Sequence, residues 1–532
     1  MAILDQNGDV MQPQAQASTL GAAFAYPGRA HEGASLSGDL SAWLPALGSS
    51  DADLIPDLPM LVSRQRDLIR NHGLASGAMQ TFVDNVLGVD LRLQAQPDWR
   101  LLGRDEAWAS EWATVSESLW QSWTQDPDFG SDVRGLTNFA GLSHQVFRGV
   151  MGNGAGLAVV NWLPEVGRVF ATALQVVEAD RLINPLGRID DATFRSGVEI
   201  DSQGRPVAYH IANRHPGDMM ALYGGMPEIT RIESRMPWGR RRVIHVFDPT
   251  ERAESHHGKP SFSAILGEFR TLGEYQKAEL QAALTNAMVA AILEAPMDGA
   301  TLQELFGSGQ NYIDQRNSAA PVKMKRGAVL RTFPGEHLNP FTPGRPNDAF
   351  APFMDSLLHI MAAGLNLPYE LLAKDFSKVN YSSARAALLE AWRHFRGRRA
   401  FMATYWHQQV YLLLLEEWVN RGLLDAPDFY QKRYAYARAR WNGPGRGWVD
   451  PQKEAAAAET RMALGISTFE DECAEQGVDW EGQLAQLKRE VDRFASMGLQ
   501  HPYMRPRAGQ PGQSLAVVGQ SDSTEPPPEE PQ

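Results

Sequence analysis

A long stretch of helical periodicity in the C-terminal third of the chain most constrains its fold. From Ala384 to about Arg421, apolar residues recur at steps of three to four positions, the spacing that places side chains on one face of an α-helix. They are Leu388, Trp392, Phe395, Met402, Trp406, Val410 and Leu413. A helix of this length with a continuous apolar face predicts a strut that packs along a core.

Helical and β patterns alternate in blocks before this strut, which predicts an α+β fold. Residues 60–88 and 105–125 have helical spacing, and the tryptophans of the second segment are expected in the core. From Gly156 to Phe247 the pattern is that of strands, including two apolar runs separated by SQGR. A compact α+β unit is therefore expected.

Further helices are predicted on both sides of the strut. The pattern from 261 to 295 favours one helix, about 50 Å long if continuous, and helix resumes from Asp348 to Gly364. The breaker GPGRGWVDP at 443–451 ends the strut region, and residues 452–498 predict two or three more helices.

The net charge of −13 argues against a chain that grips nucleic acid tightly, because Lys and Arg supply most non-specific affinity. A channel through which DNA slides is compatible with that charge, because sliding is helped by weak or repulsive contacts with the wall. The single cysteine, Cys473, excludes an intramolecular disulfide and a four-cysteine zinc site, and we expect it to be a small buried side chain. Neither a signal peptide nor a membrane anchor is expected at the N-terminus.

Motifs for catalysis are missing from the sequence. The nearest match to a phosphate-binding GxxxxGK[ST] loop is His257-Gly258-Lys259-Pro260, where proline removes a backbone donor. MGNGAGL at 151–157 is predicted to be a turn before a strand, and His256 and His257 a surface pair without a third metal ligand. We expect no catalytic residue, no cofactor and no metal.

Several segments, in order over some 400 residues, resemble the lambda-type phage portal family. They are RQRDLIRN at 64–71, ASGA at 75–78, VDNVLG at 83–88, GVEID and GRPVAYHI at 197–211, HPGD at 215–218, VIHVF at 243–247, NLPYELLAKDFSKVNYSSARAALLE at 366–390 and WNGPGRGWVDPQKE at 441–454. The chain departs from the family pattern at Glu254 to Gly258. In the family, this segment before the helix expected at 261–295 tends to be rich in Arg and Gln.

The resemblance implies a portal fold assembled as a ring, expected to be a dodecamer, around a channel for double-stranded DNA at one capsid vertex. It divides the chain into a flexible N-terminal arm (1–59), wing (60–260), stem helix (261–295), clip (296–345), second stem helix (346–368), tunnel loop (369–383), wing helix (384–445), crown (446–504) and disordered tail (505–532). The partners it implies are the large terminase subunit, which supplies the ATPase, the head–tail adaptor, and the major capsid and scaffold proteins. The resemblance also implies that the protein is assembled in the host cytoplasm and becomes part of the virion.

Basic side chains mark the candidate contact residues. Residues 370–400 carry seven Lys and Arg against three Asp and Glu, in a chain that is acidic overall. In the tunnel loop, the residues expected to touch DNA phosphates without reading bases are Lys374, Asp375, Ser377, Lys378 and Asn380.

Arginines also recur along the wing helix, and we expect them to form a solvated helix face with salt bridges at the subunit interface, since interface pairs favour Arg. They are Arg385, Arg396, Arg398 and Arg399. In the clip, Lys323, Lys325 and Arg326 are either a docking surface for terminase and adaptor or the protecting lysines of an edge strand.

Two other functions compete with a DNA conduit. A tail or baseplate protein would also form a ring, but without a tunnel loop or terminase docking. A cytosolic hydrolase with an unrecognised carboxylate site would differ by turnover, since 63 Asp and Glu could hide such a site.

Overall fold

The computed structural model describes residues 31–35, 38–219, 227–288, 291–294, 337–340, 350–377, 379–445 and 450–504, with four isolated helical positions between 300 and 314. Most of the expected clip, including Lys323, Lys325 and Arg326, lies outside these residues, as do Lys378, most of the expected N-terminal arm and the tail from 505 to 532. The assignments made for them stay predictions.

The N-terminal half is mixed helix and strand, as expected. Its helices are α1 (Ser50–Leu54), α2 (Leu58–Asn71), α3 (Gly73–Val86), α4 (Trp99–Leu102), α5 (Glu106–Thr124) and α6 (Phe139–Asn153). Its strands are β1 (Arg92–Ala95), β2 (Ala155–Trp162), β3 (Thr172–Val177), β4 (Phe194–Arg195), β5 (Val198–Ile200), β6 (Pro206–Ala212), β7 (Ile229–Glu233) and β8 (Val243–Phe247).

The C-terminal half is mainly helical. Its helices are α7 (Leu266–Met288), α8 (Phe350–Gly364), α9 (Tyr369–Ala373), α10 (Tyr381–Met402), α11 (Gln408–Asn420), α12 (Phe429–Tyr436), α13 (Pro451–Ala463), α14 (Phe469–Glu475) and α15 (Trp480–Ser496). Its strands are β9 (Ala291–Glu294), β10 (His337–Pro340) and β11 (Ala439–Asn442).

Two antiparallel sheets lie between residues 155 and 247. One has the strand order β3-β2-β8 and the other β4-β5-β6-β7, and a small core of residues such as Leu157, Val198 and Tyr209 lies between them. The hairpin β5–β6 follows the two apolar runs that the sequence indicated. A separate pair, β1 and β11, joins Arg92 to Asn442 across most of the chain length.

Short polar residues and glycines set the ends of the helices. Asp105 and Asn138 accept hydrogen bonds from the first turns of α5 and α6. Helix α6 ends at Asn153 and is followed by the cap residue Gly154, whose φ of 84° favours glycine. A Cβ at Gly154 would collide with the Gly258 carbonyl. The segment MGNGAGL is thus a helix end followed by strand β2. The predicted strand is confirmed, whereas residues 151–153 belong to α6 and not to a turn.

The main core surrounds the predicted strut. Trp123, Trp406 and Trp418 are among its largest fully buried side chains. The strut itself is interrupted: α10 ends at Met402, a π-helical turn spans Ala403–His407, and α11 continues to Asn420. Phe395 is buried and Trp392 is half-buried against the same core, so both lie on the core-facing side of the strut, as the spacing predicts.

The helix expected over 261–295 is shorter than its composition indicates. It begins at Leu266 and ends at Met288, and the next described residues form strand β9, which pairs with β10 more than forty residues away. The predicted helix end was therefore wrong, because a non-local strand pairing overrides the helical preference of the Leu- and Ala-rich sequence. Tyr275 of α7 packs against Phe350 and Phe353 of α8, so the two expected stem helices are neighbours.

Candidate functional site

The segment between α8 and α10 is anchored at both ends and exposed in the middle. Leu365, Leu367 and Leu372 are buried, and Tyr369 stacks on His359 with ring centroids 4.5 Å apart. The Tyr369 hydroxyl also donates to Asp355 Oδ1 at 3.2 Å. These contacts hold α9 against α8, so the chain enters the exposed part from a fixed position.

The exposed part begins where α9 ends. Lys374 has a left-handed backbone conformation, with φ of 54°, and stops the helix. Asp375 Oδ1 accepts a hydrogen bond from the Ser377 amide at 2.9 Å, which closes a local turn. Lys374, Phe376 and Ser377 are exposed. Lys374 is thus held at the surface, next to a turn that the Asp375 side chain stabilises.

Asn380 ends the loop by capping the strut. Its Oδ1 accepts from the Ser383 amide at 2.9 Å and satisfies a free donor of the first turn of α10. Asp375 and Asn380 therefore have local structural roles that the sequence had not revealed. Their expected contact with DNA stays a prediction.

The four arginines of the strut differ in their surroundings. Arg385 is half-exposed, and Arg396 is exposed with its Nη2 3.1 Å from Glu475 Oε1 of α14. Arg398 pairs with Asp248, just after β8, at 3.1 Å. Three of these arginines, including Arg399, thus bond within their own protomer, and their assignment to a subunit interface stays a prediction.

Arg399 is the most enclosed of the set. Its Nη2 donates to the carbonyls of Asn85 and Pro444, both at 3.0 Å, and its Nε to Val86 at 3.3 Å. Burial, and secondarily Arg396, lowers the pKa of Arg399 to about 10. The guanidinium ties the end of α3 to the segment that follows β11.

The paired histidines are buried, so their prediction as a surface pair was wrong. His256 Nδ1 lies 2.7 Å from Asp51 Oδ2, and this hydrogen bond raises the pKa of His256. His257 Nε2 donates to the Arg195 carbonyl at 3.0 Å, and burial lowers the pKa of His257. Both partners are remote in the sequence, which is why local spacing indicated exposure.

Among the described residues, no group of three or more His, Cys, Asp or Glu side chains is placed to hold a metal ion. A search of the same residues finds no helix both long and apolar enough to cross a membrane. Cys473 is buried, as expected.

Comparison with known proteins identifies the family to which the chain belongs. The family model described as phage portal protein, lambda family, matches residues 37–399. The chain therefore belongs to the lambda family of phage portal proteins, which are structural components of the phage particle rather than enzymes, and a role in DNA packaging follows from the family.

Individual relatives extend the match beyond those residues. Portal protein B of Escherichia phage lambda is 31% identical over 496 residues, covering 90% of this chain and 92% of the relative. The portal protein of Escherichia phage N15 is 31% identical with the same coverage, and a probable portal protein of Halomonas phage phiHAP-1 is 24% identical over 87% of this chain and 86% of that protein.

Solved structures with a similar chain include the neck of an empty gene transfer agent (GTA) particle, computed with C6 symmetry. It is 16% identical, covers 82% of this chain and 96% of its own, and has a TM-score of 0.43. The neck of a native particle, computed with C12 symmetry, is 15% identical, covers 78% of this chain and 93% of its own, and has a TM-score of 0.39.

Proposed function

We propose that twelve copies of this chain form a ring at one capsid vertex, with an axial channel through which double-stranded DNA enters and leaves. Family membership supports the ring, since portal proteins form oligomeric rings. The family match also favours a portal over a tail or baseplate ring and over a hydrolase.

The observation that best supports a DNA channel is the geometry of the loop between α9 and α10. Buried leucines and the Tyr369–His359 stack fix its start, the Asn380 cap fixes its end, and Lys374 is exposed between them. Repeated around a ring, flexible point charges on a fixed support provide weak, sequence-independent contacts to passing phosphates. The net charge of −13 keeps the rest of the surface from holding DNA.

The regions named from the resemblance are part of the same proposal. Residues 60–260 with the strut form the wing, α7 and α8 the stem, 296–345 the clip and 446–504 the crown. The clip, with Lys323, Lys325 and Arg326, docks the large terminase subunit during packaging and the head–tail adaptor afterwards. Assembly in the host cytoplasm involves scaffold and major capsid proteins.

The test is a double substitution, Lys374→Ala with Lys378→Ala, in a packaging assay with purified terminase and proheads. We expect rings to form normally and the yield of fully packaged heads to fall, because the variant loses the loop's contacts to passing phosphates. Lys432→Ala is the matched control, since Lys432 pairs with Asp428 of its own helix region at 3.2 Å. Normal packaging and DNA retention in the double variant would contradict the tunnel-loop assignment.

A further inference from the structure

A hairpin turn at residues 234–242, in the connection from β7 to β8, places two arginines opposite each other. Arg235 and Arg241 form an antiparallel backbone bridge, so their side chains project from opposed positions. The turn is closed by the Met236 amide, which donates to the Arg240 carbonyl at 2.7 Å, and by Gly239 with φ of 100°. Like charges at opposed positions repel, so this geometry costs stability unless an anion joins them.

The hairpin forms one wall of a cavity of about 570 Å³. Helices α11 and α12 and the start of β11 form the other walls, and Arg433 of α12 lines the cavity with the two hairpin arginines. Burial first, and then Arg235 and Arg433, lowers the pKa of Arg241 to about 10. Burial and Arg433 lower the pKa of Arg235 as well. Three guanidinium groups thus converge on one partly enclosed space.

The described residues of the cavity wall offer no free counter-charge. Glu416 is the one carboxylate among them, and it already accepts from Arg240 at 3.0 Å, Trp238 Nε1 at 2.8 Å and the Tyr430 hydroxyl at 3.1 Å. Arg438 pairs with Asp98 at 2.6 Å.

Arg235, Arg241 and Arg433 form no ion pair within the described part of the chain. Arg235 donates only to the Gly239 carbonyl there, at 2.9 Å, which leaves its charge uncompensated. The site therefore suits an anion that the described part of the protomer does not supply.

We propose that this cavity is a docking site for carboxylate groups of a second copy of this chain, in the ring described under Proposed function, on which the inference rests. Arg–carboxylate pairs are strong and directional. The chain supplies many candidates, with 63 Asp and Glu against 50 Lys and Arg.

Aromatic rings around the cavity favour a protein partner over a free anion. Trp238, Tyr430 and Tyr434 are 55%, 46% and 64% exposed. Trp, Tyr and Arg are the residues enriched at energetically dominant positions of protein interfaces. A free phosphate would engage the guanidinium groups but leave these rings in water.

The first experiment compares Arg433→Gln and Arg241→Gln with Arg205→Gln, an exposed arginine paired with Asp201 at the β5–β6 turn. In the unassembled protomer, obtained at high salt, both cavity variants should melt at the wild-type temperature or above it, because one repelling charge is gone. Assembly at low salt should need about tenfold more protein, a loss of roughly 1.4 kcal/mol per contact. The control should behave as wild type in both measurements.

These outcomes separate the docking site from a structural role. Cavity variants that melt lower while assembling normally would show that the arginines only stabilise the protomer. Absence of rings in the wild type would contradict the proposed function and the docking site with it, whereas rings that form equally well in the variants contradict the docking site alone.

A second experiment identifies the anion. With Arg433→Lys, a carbodiimide should couple the introduced amine to an Asp or Glu of a neighbouring copy, and mass spectrometry of the ring should find that cross-link. The Arg205→Lys control should cross-link only within its own chain, to Asp201. Inorganic phosphate is the competing probe: if it raises the melting temperature of the wild-type protomer but not of Arg433→Gln, and no intermolecular cross-link forms, the site binds free phosphate and the proposal fails.

Discussion

At the scale of single residues, Phe395 and Trp392 allow a comparison on one helix. Phe395 is 1% exposed and packs edge-on against Phe82, with centroids 5.8 Å apart, whereas Trp392 is half-buried. We expect Phe395→Ala to lower the free energy of unfolding by about 3–5 kcal/mol and Trp392→Ala to cost less. Thermal melting of both variants checks the order. A Trp392 variant that is the less stable of the two would mean that neighbouring protomers bury that ring.

Arg399 gives a second prediction at this scale. Its removal leaves three backbone carbonyls without their charged donor, so Arg399→Ala should lower the free energy of unfolding by about 2–4 kcal/mol. Arg396→Ala is the control, because its pair with Glu475 is exposed and worth below about 1 kcal/mol. Equal stability of the two variants in urea unfolding would show that the Arg399 contacts are weak.

At the scale of elements, Glu117 connects α5, β1 and α15. Its Oε1 accepts from the Ala95 amide at 2.7 Å. Burial, with added repulsion from Asp479 and Glu481 at the start of α15, raises its pKa to about 7. The native state therefore holds a proton that the unfolded chain releases above about pH 4.5, so the free energy of unfolding falls as pH rises from about 4.5 to 7.

Glu117→Gln should remove this pH dependence. The amide oxygen can still accept from Ala95, and no charge develops, so the variant should gain on the order of 1–2 kcal/mol over wild type at pH 8 and little at pH 4. Chemical unfolding at the two pH values measures the difference. Glu111→Gln, an exposed change on the same helix, should show no such gain.

Elements with a regular apolar spacing were predictable from sequence, and their interruptions were not. The strut was predicted because Phe395, Trp406 and Val410 follow one helical face, a local property. The end of α7 was missed because β9 depends on a partner strand, and the burial of His256 because Asp51 lies 205 positions away. The arginine cavity was missed for the same reason, since it joins residues near 240 to residues near 430.

At the scale of the whole molecule, the C-terminal helices are less buried than the main core around the strut. Helices α13 and α15 have no buried residue, and Leu464 and Ile466 between α13 and α14 are 68% and 71% exposed. Elements with few buried contacts open at low free energy. The C-terminal region, expected to be the crown, should therefore gain more order on assembly than the main core around the strut.

Hydrogen exchange can test this difference. In the unassembled protomer, amides of α15 should exchange at least about a hundredfold faster than those of α11, and ring formation should slow α15 selectively. Uniform protection in the protomer would contradict low local stability. Exchange in α15 that stays fast in assembled rings would mean that neighbouring copies do not cover it.

The pairing of β1 with β11 also concerns the order in which the chain is synthesised. Arg92 leaves the ribosome some 350 residues before its partner Asn442, and Ser116 similarly waits for Tyr411, with which it shares a buried hydrogen bond of 2.7 Å. Apolar faces of α3, α5 and α6 thus have no complete partner surface during most of translation. Contacts this distant in sequence form late and leave unfinished chains prone to aggregation, so chaperones have their longest opportunity to act before residue 442 emerges.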